Sequence, residues 1–156
     1  MSAKLIIILT LFFTSFESLG QEVQVNCIIQ VNKELVEGQL ADIKIWFSDN
    51  MEKKYQVGYV PGELSIPKEA YQRLIDQKDT IQAVLNFDYY NYDKKNQRDI
   101  VNWSIKLTGI LFKQPYLILD IYDFRVRKYR KMYSFHTDQN FIYEWNFPNS
   151  GMLISK

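Results

Sequence analysis

Cys27 and His136 are the chain's single cysteine and single histidine, and together they define the nucleophilic and metal chemistry open to it. A thiol beside an imidazole can act as nucleophile and base. No spacing brings these two together, and Cys27 falls on the apolar side of an alternating segment. There a small buried thiol packs as an inert hydrophobe. His136 is expected to end a strand and face water. A zinc site needs several clustered His or Cys ligands, so one of each predicts no metal site. No glycine-rich phosphate loop, nucleophile elbow or calcium loop occurs, and no cofactor is implied. Asn102-Trp103-Ser104 fits the glycosylation pattern, a frequent and weak match.

Carboxylates are the remaining acid–base candidates, and Asp120 is the most unusual of them. It lies between Ile118 and Tyr122 on one face of a segment that is apolar on nearly both sides. A carboxyl there costs free energy unless it is hydrogen-bonded. The reading favoured is a partly exposed face, or a tyrosine hydroxyl or backbone N–H that satisfies the group. A hydrolase using a carboxylate pair around Asp120 ranks behind two non-catalytic readings.

Binding residues stand out more clearly. Arg125-Val126-Arg127-Lys128-Tyr129-Arg130-Lys131 holds five cations in seven positions. Arg125, Arg127, Lys128 and Arg130 are the candidates for gripping an anionic glycan or phosphate. The competing role is solvation of a hairpin, where Lys and Arg on an edge discourage sheet-to-sheet pairing. Trp46 falls on the polar side of its segment, Tyr90 shares a side with Gln82, Asn86 and Asp88, and Tyr92 follows in a loop. These three rings are the candidates for stacking on sugar faces.

The elements that must position these residues follow from patterning. Lys4, the apolar run Leu5 to Phe13 and the small residues Ser18 and Gly20 have the layout of a secretory signal peptide over residues 1–20. The run is too short to span a bilayer core of about 30 Å, so no membrane span is expected after cleavage. The remainder, 21–156, is one domain's length. With one cysteine it forms no intrachain disulfide. A formal net charge of +1 argues against nucleic acid as a partner. Heavy use of Ile, Lys, Asn, Tyr and Phe suits an AT-rich bacterial genome, and export then means the periplasm or the cell exterior.

Period-two alternation dominates 21–156. It marks strands at Val23–Val31, Ala41–Phe47, Tyr55–Tyr59, Glu63–Ile66, Ile81–Tyr89, Val101–Leu107, Tyr116–Phe124, Tyr129–Phe135 and Phe141–Phe147. Ala70, Tyr71, Leu74 and Ile75 after Pro67 mark one short helix. There is no room for crossover helices, so the fold expected is an all-β antiparallel sandwich of eight or nine strands, immunoglobulin-like or transthyretin-like in shape. The leading functional expectation is an exported non-catalytic module that binds a glycan or an envelope protein. The alternative is an assembly subunit that pairs through a sheet edge.

Overall fold

The computed structural model describes residues 21–77, 80–92, 98–133, 139–148, 150 and 153–155, with the side chains of 92, 98 and 153–155 left aside. The segment read as a signal peptide, and His136, lie outside the described residues. Among the described residues eleven strands form two packed sheets, with two short α-helices and one 3-10 turn. The fold is an all-β sandwich. Among the described residues no helix is long and apolar enough to cross a membrane.

The seven-stranded sheet runs β11 (Leu153–Ser155), β10 (Phe141–Asn146), β9 (Leu117–Asp123), β1 (Glu22–Val31), β6 (Gly62–Pro67), β5 (Gly58–Val60), with β2 (Glu34–Leu35) paired to β1. Asn32 and Lys33 both have positive φ (56° and 70°) and turn β1 tightly into β2, the geometry that matches the twist of a two-residue hairpin. β2 thus lies between Val31 and Ala41, where the alternation assigns no strand. The four-stranded sheet runs β4 (Asn50–Gln56), β3 (Leu40–Phe47), β7 (Ala83–Tyr92), β8 (Arg98–Leu107). Pairing is antiparallel except between β1 and β9, which run parallel. The single strand expected at Tyr55–Tyr59 is two strands in different sheets, broken at Val57.

Alternation in the sequence places the core as expected. Val25, Cys27, Ile29 and Val31 of β1 are buried, as are Ile43, Ile45 and Phe47 of β3 and Trp103, Ile105 and Leu107 of β8. They meet Leu117, Leu119, Ile121, Tyr143 and Trp145 in one cluster between the sheets. α1 (Lys68–Ile75) follows Pro67, which sits just before the helix at φ −52°, and carries the chain from β6 in one sheet to β7 in the other. Its buried side is Ala70 and Leu74.

One element differs in type from the pattern reading. The strand expected at Tyr129–Phe135 is a helix, α2 (Arg127–Tyr133), where the structure describes it. The basic run is thus not a β-hairpin. Arg, Lys and Met are good helix formers and residues 127–133 include no β-branched side chain, so local preference agrees with the helix. Two rings complete the argument: Tyr129 and Tyr133 both pack on Tyr122 of β9, with centroids 5.3 and 4.9 Å away.

Candidate functional site

β9 ends at Asp123, and the turn after it is built by that residue's carboxylate. Asp123 Oδ1 accepts the backbone N–H of Arg125 at 2.9 Å, while Oδ2 takes the Arg125 Nε and Nη2 at 2.7 and 2.5 Å. Asp99, at the start of β8, pairs with the same guanidinium through Nη1. Burial opposes the Arg125 charge, yet the two aspartates outweigh it and hold the group above its usual pKa. Arg125 is therefore a fastener between β8 and β9, with its charge already matched.

α2 starts from this turn and lies on the outer face of the seven-stranded sheet. The Tyr129 hydroxyl donates to the carbonyl of Asn32 at 2.9 Å, and Tyr129, Tyr122, Phe124 and Ile142 form a second apolar cluster beneath it. Residues four apart share a helix face, so Tyr129 and Tyr133 face the sheet. Arg127, Lys128, Arg130 and Lys131 lie around the rest of the helix and are exposed, Lys128 with its Nζ 5.3 Å from the Tyr129 ring centroid. Among the described residues no carboxylate pairs with any of these four. α2 thus carries Arg127, Lys128 and Arg130 as exposed side chains, with Arg127 next to Arg130 one turn on, and Arg125 is separate from them in role.

Beside α2 a cleft of about 410 Å³ opens between the Asp123–Arg125 turn and β8, with Val101, Trp103 and Phe124 as apolar lining and Arg130, Gln139 and Asn140 among its polar lining. Trp103 is only 2 % exposed and forms the floor, with Tyr89 stacked on it at 5.0 Å. An adjoining cleft of about 320 Å³ shares Val101, Trp103, Gln139 and Asn140 and continues to Asn102, Ser104 and Phe141. One contiguous groove thus follows β8 and ends at a cation.

The aromatic candidates are not assembled. Trp46 pairs with Val84 and Tyr90 with Ile100 on the outer face of the four-stranded sheet. Six residues separate Val84 from Tyr90 along β7, about 20 Å at strand rise. Both rings are half-buried, and the Tyr92 side chain lies outside the described set. The polar part of this face is occupied by Asn86, whose Nδ2 donates to Asn102 Oδ1 and Ser104 Oγ at 2.8 and 3.0 Å.

Asp120 is buried, 3 % exposed, against the partly exposed reading. Its partners are neither a tyrosine nor a backbone N–H: Oδ2 accepts from Lys33 Nζ and Asn146 Nδ2, both at 2.9 Å. Glu144, 4 % exposed, stands directly opposite on β10 and accepts the Tyr122 hydroxyl at 3.4 Å. Burial pushes the Tyr122 phenol up to about 12, reinforced by Glu144 and Asp120. Burial alone would lower the Lys33 ammonium, but Tyr122 and Asp120 together hold it above its usual value. Two carboxylates side by side resemble an acid–base pair, but a substrate must reach them. Their burial favours a structural network.

Glu144 and Lys33 carried no signal in the sequence, because their significance comes from register and from the Asn32–Lys33 turn. Trp103 looked like an ordinary core residue, and its place at the groove depends on which strand forms the edge. No family model matches the chain, and neither does any curated protein or solved structure.

Proposed function

We propose that this chain is an exported, non-catalytic β-sandwich module that binds a negatively charged ligand or partner at the cell envelope. The observation carrying this reading is the exposed surface of α2: Arg127, Lys128, Arg130 and Lys131 are all exposed within five residues of a helix pinned to the sheet by tyrosines. Clustered cations whose neighbours do not neutralise them create a local positive potential despite a net charge of only +1. Export rests on the apolar segment and small residues before Gln21. The buried Asp120–Glu144 pair belongs to the scaffold in this reading.

The test is binding of residues 21–156 to sulfated and neutral glycans at two salt concentrations. Binding to the sulfated set should weaken as salt shortens the Debye length to about 3 Å at 1 M. It should be lost when Arg127 and Lys128 are both changed to Glu. Salt-insensitive binding to neutral glycans that survives this change would overturn the assignment of the helix face. It would return attention to Trp46 and Tyr90.

A further inference from the structure

β8 is the outermost strand of the four-stranded sheet, and its backbone shows which groups face outward. The Lys106 N–H donates to the Tyr143 hydroxyl at 3.0 Å, and the Lys106 carbonyl accepts from the Trp145 indole at 3.4 Å. Those groups therefore point away from β7. Backbone direction alternates along an antiparallel strand, so the N–H and C=O of Ile100, Asn102 and Ser104 point outward as well. Among the described residues none bonds to them.

Three observations set this edge apart. First, residues from both faces of β8, Asn102 and Ser104 on one and Val101 and Trp103 on the other, line the same groove, so the groove lies along the strand edge. Second, the sheet's opposite edge, β4, carries exposed Glu52, Lys53 and Lys54, the charges that keep an edge from accepting another strand. The stretch from Ile100 to Ser104 carries no charge and no proline. Third, the groove ends at Arg130, whose charge no described carboxylate matches, and this selects the sign of what enters.

We propose that β8 is a strand-docking edge that takes an extended acidic peptide of a partner protein. The partner adds as a fifth strand along Ile100–Ser104, over about 14 Å at strand rise. Its inward side chains are apolar and lie toward Val101, Trp103 and Phe141. Its acidic end meets Arg130. This deepens the binding reading above and rests on it, since Arg130 belongs to both surfaces.

The probe is a fluorescein-labelled heptapeptide, Asp-Asp-Val-Thr-Val-Thr-Val, followed by anisotropy with residues 21–156. A second peptide carries N-methyl groups on alternate amides, which deletes backbone donors but keeps the side chains. Binding of the first should weaken about tenfold or more in the second, since the methylated amides can no longer donate to the outward carbonyls of β8. Arg130→Glu should weaken it similarly. So should Ser104→Pro, which removes an outward N–H that β7 does not use. The methylated peptide keeps the test on the unaltered protein if the proline variant does not fold. Equal binding of both peptides overturns strand addition. If sulfated-glycan binding still falls with Arg127 and Lys128, the helix-face reading survives that result. Loss of both activities rejects both. Concentration-dependent dimers that Ser104→Pro abolishes would instead assign the edge to a second copy of the chain, and overturn the peptide proposal.

Discussion

Lys33 Nζ and Asn146 Nδ2 converge on one oxygen of Asp120, while the other, Oδ1, has no hydrogen-bond partner among the described residues. Glu144 lies across the strand pair with a second negative group. The ammonium is therefore the one cation bonded to this acidic pair among the described residues, though its own side chain is 54 % exposed. Lys33→Met should destabilise the protein by about 1–3 kcal/mol in urea unfolding, less than for a fully buried pair because water screens the exposed end. Asp120→Asn keeps an oxygen for both donors and removes the like-charge contact, so we expect a change within about 1 kcal/mol. A larger loss for the asparagine variant than for Lys33→Met would reverse this order. Two other groups contribute to the alkaline limit. Burial pushes the Cys27 thiol from 9.0 to about 12, and Tyr122 rises from 10.0 to about 12. Both folded values exceed the unfolded ones, so the neutral forms contribute stability that is intact below pH 9. It is lost as pH rises from about 9 towards 12. In urea titrations across that range, Tyr122→Phe should flatten the fall above pH 10. Cys27 should react with Ellman's reagent at pH 8 only as fast as the protein opens.

The elements show why α2 escaped pattern reading while α1 did not. Tyr129 and Tyr133 are four apart, and positions four apart share a face in a helix and in a strand alike. Only Lys131 between them separates the two cases: in a strand it would share the face of the tyrosines, whereas in the helix it lies on the exposed side. α1 carried more: Pro67 at its start and paired apolar positions Ala70–Tyr71 and Leu74–Ile75, a doublet spacing no strand produces. The long strands were legible because one face of each is buried, which makes alternation strict; β2, too short to alternate, was not. Docking of α1 also depends on a close approach. A Cβ on Gly109 would lie 2.4 Å from the carbonyl oxygen of Leu74, near the end of α1. Backbone cannot yield there as a flexible side chain would, so Gly109→Ala should lower stability by about 1–3 kcal/mol. At Gly38 nothing lies within 4 Å of the added methyl, and Gly38→Ala should be neutral or stabilise by up to about 1 kcal/mol. Melting temperatures of the two variants give the comparison directly.

Across the whole molecule, the decisive connection is the parallel pairing of β1 with β9, which joins Cys27 to Leu117 and Val31 to Ile121, ninety positions apart. Alternation fixes which face of a strand is buried but is silent about which strand lies beside it. A sandwich could therefore be read from residues 21–156, while the order of strands, the parallel pair and the β8 edge could not. The same connection governs folding. β1 sits inside its sheet, with β6 on one side and β9 on the other. Its inward residues pack in one cluster with Leu117, Leu119, Ile121, Tyr143 and Trp145, all from the last third of the described chain. The chain end supplies both the missing neighbour and much of that sheet's inner face. A fragment ending at Gln114 keeps β1 through β8 but leaves Cys27, Ile29 and Val31 without that cover. It should show no dispersed amide spectrum and no cooperative thermal transition. The intact chain 21–156 should refold in milliseconds to seconds, roughly the range for sheets closed by distant contacts. A cooperative transition in the fragment would mean that the four-stranded sheet with α1 folds alone, and that the β1–β9 pairing only completes it.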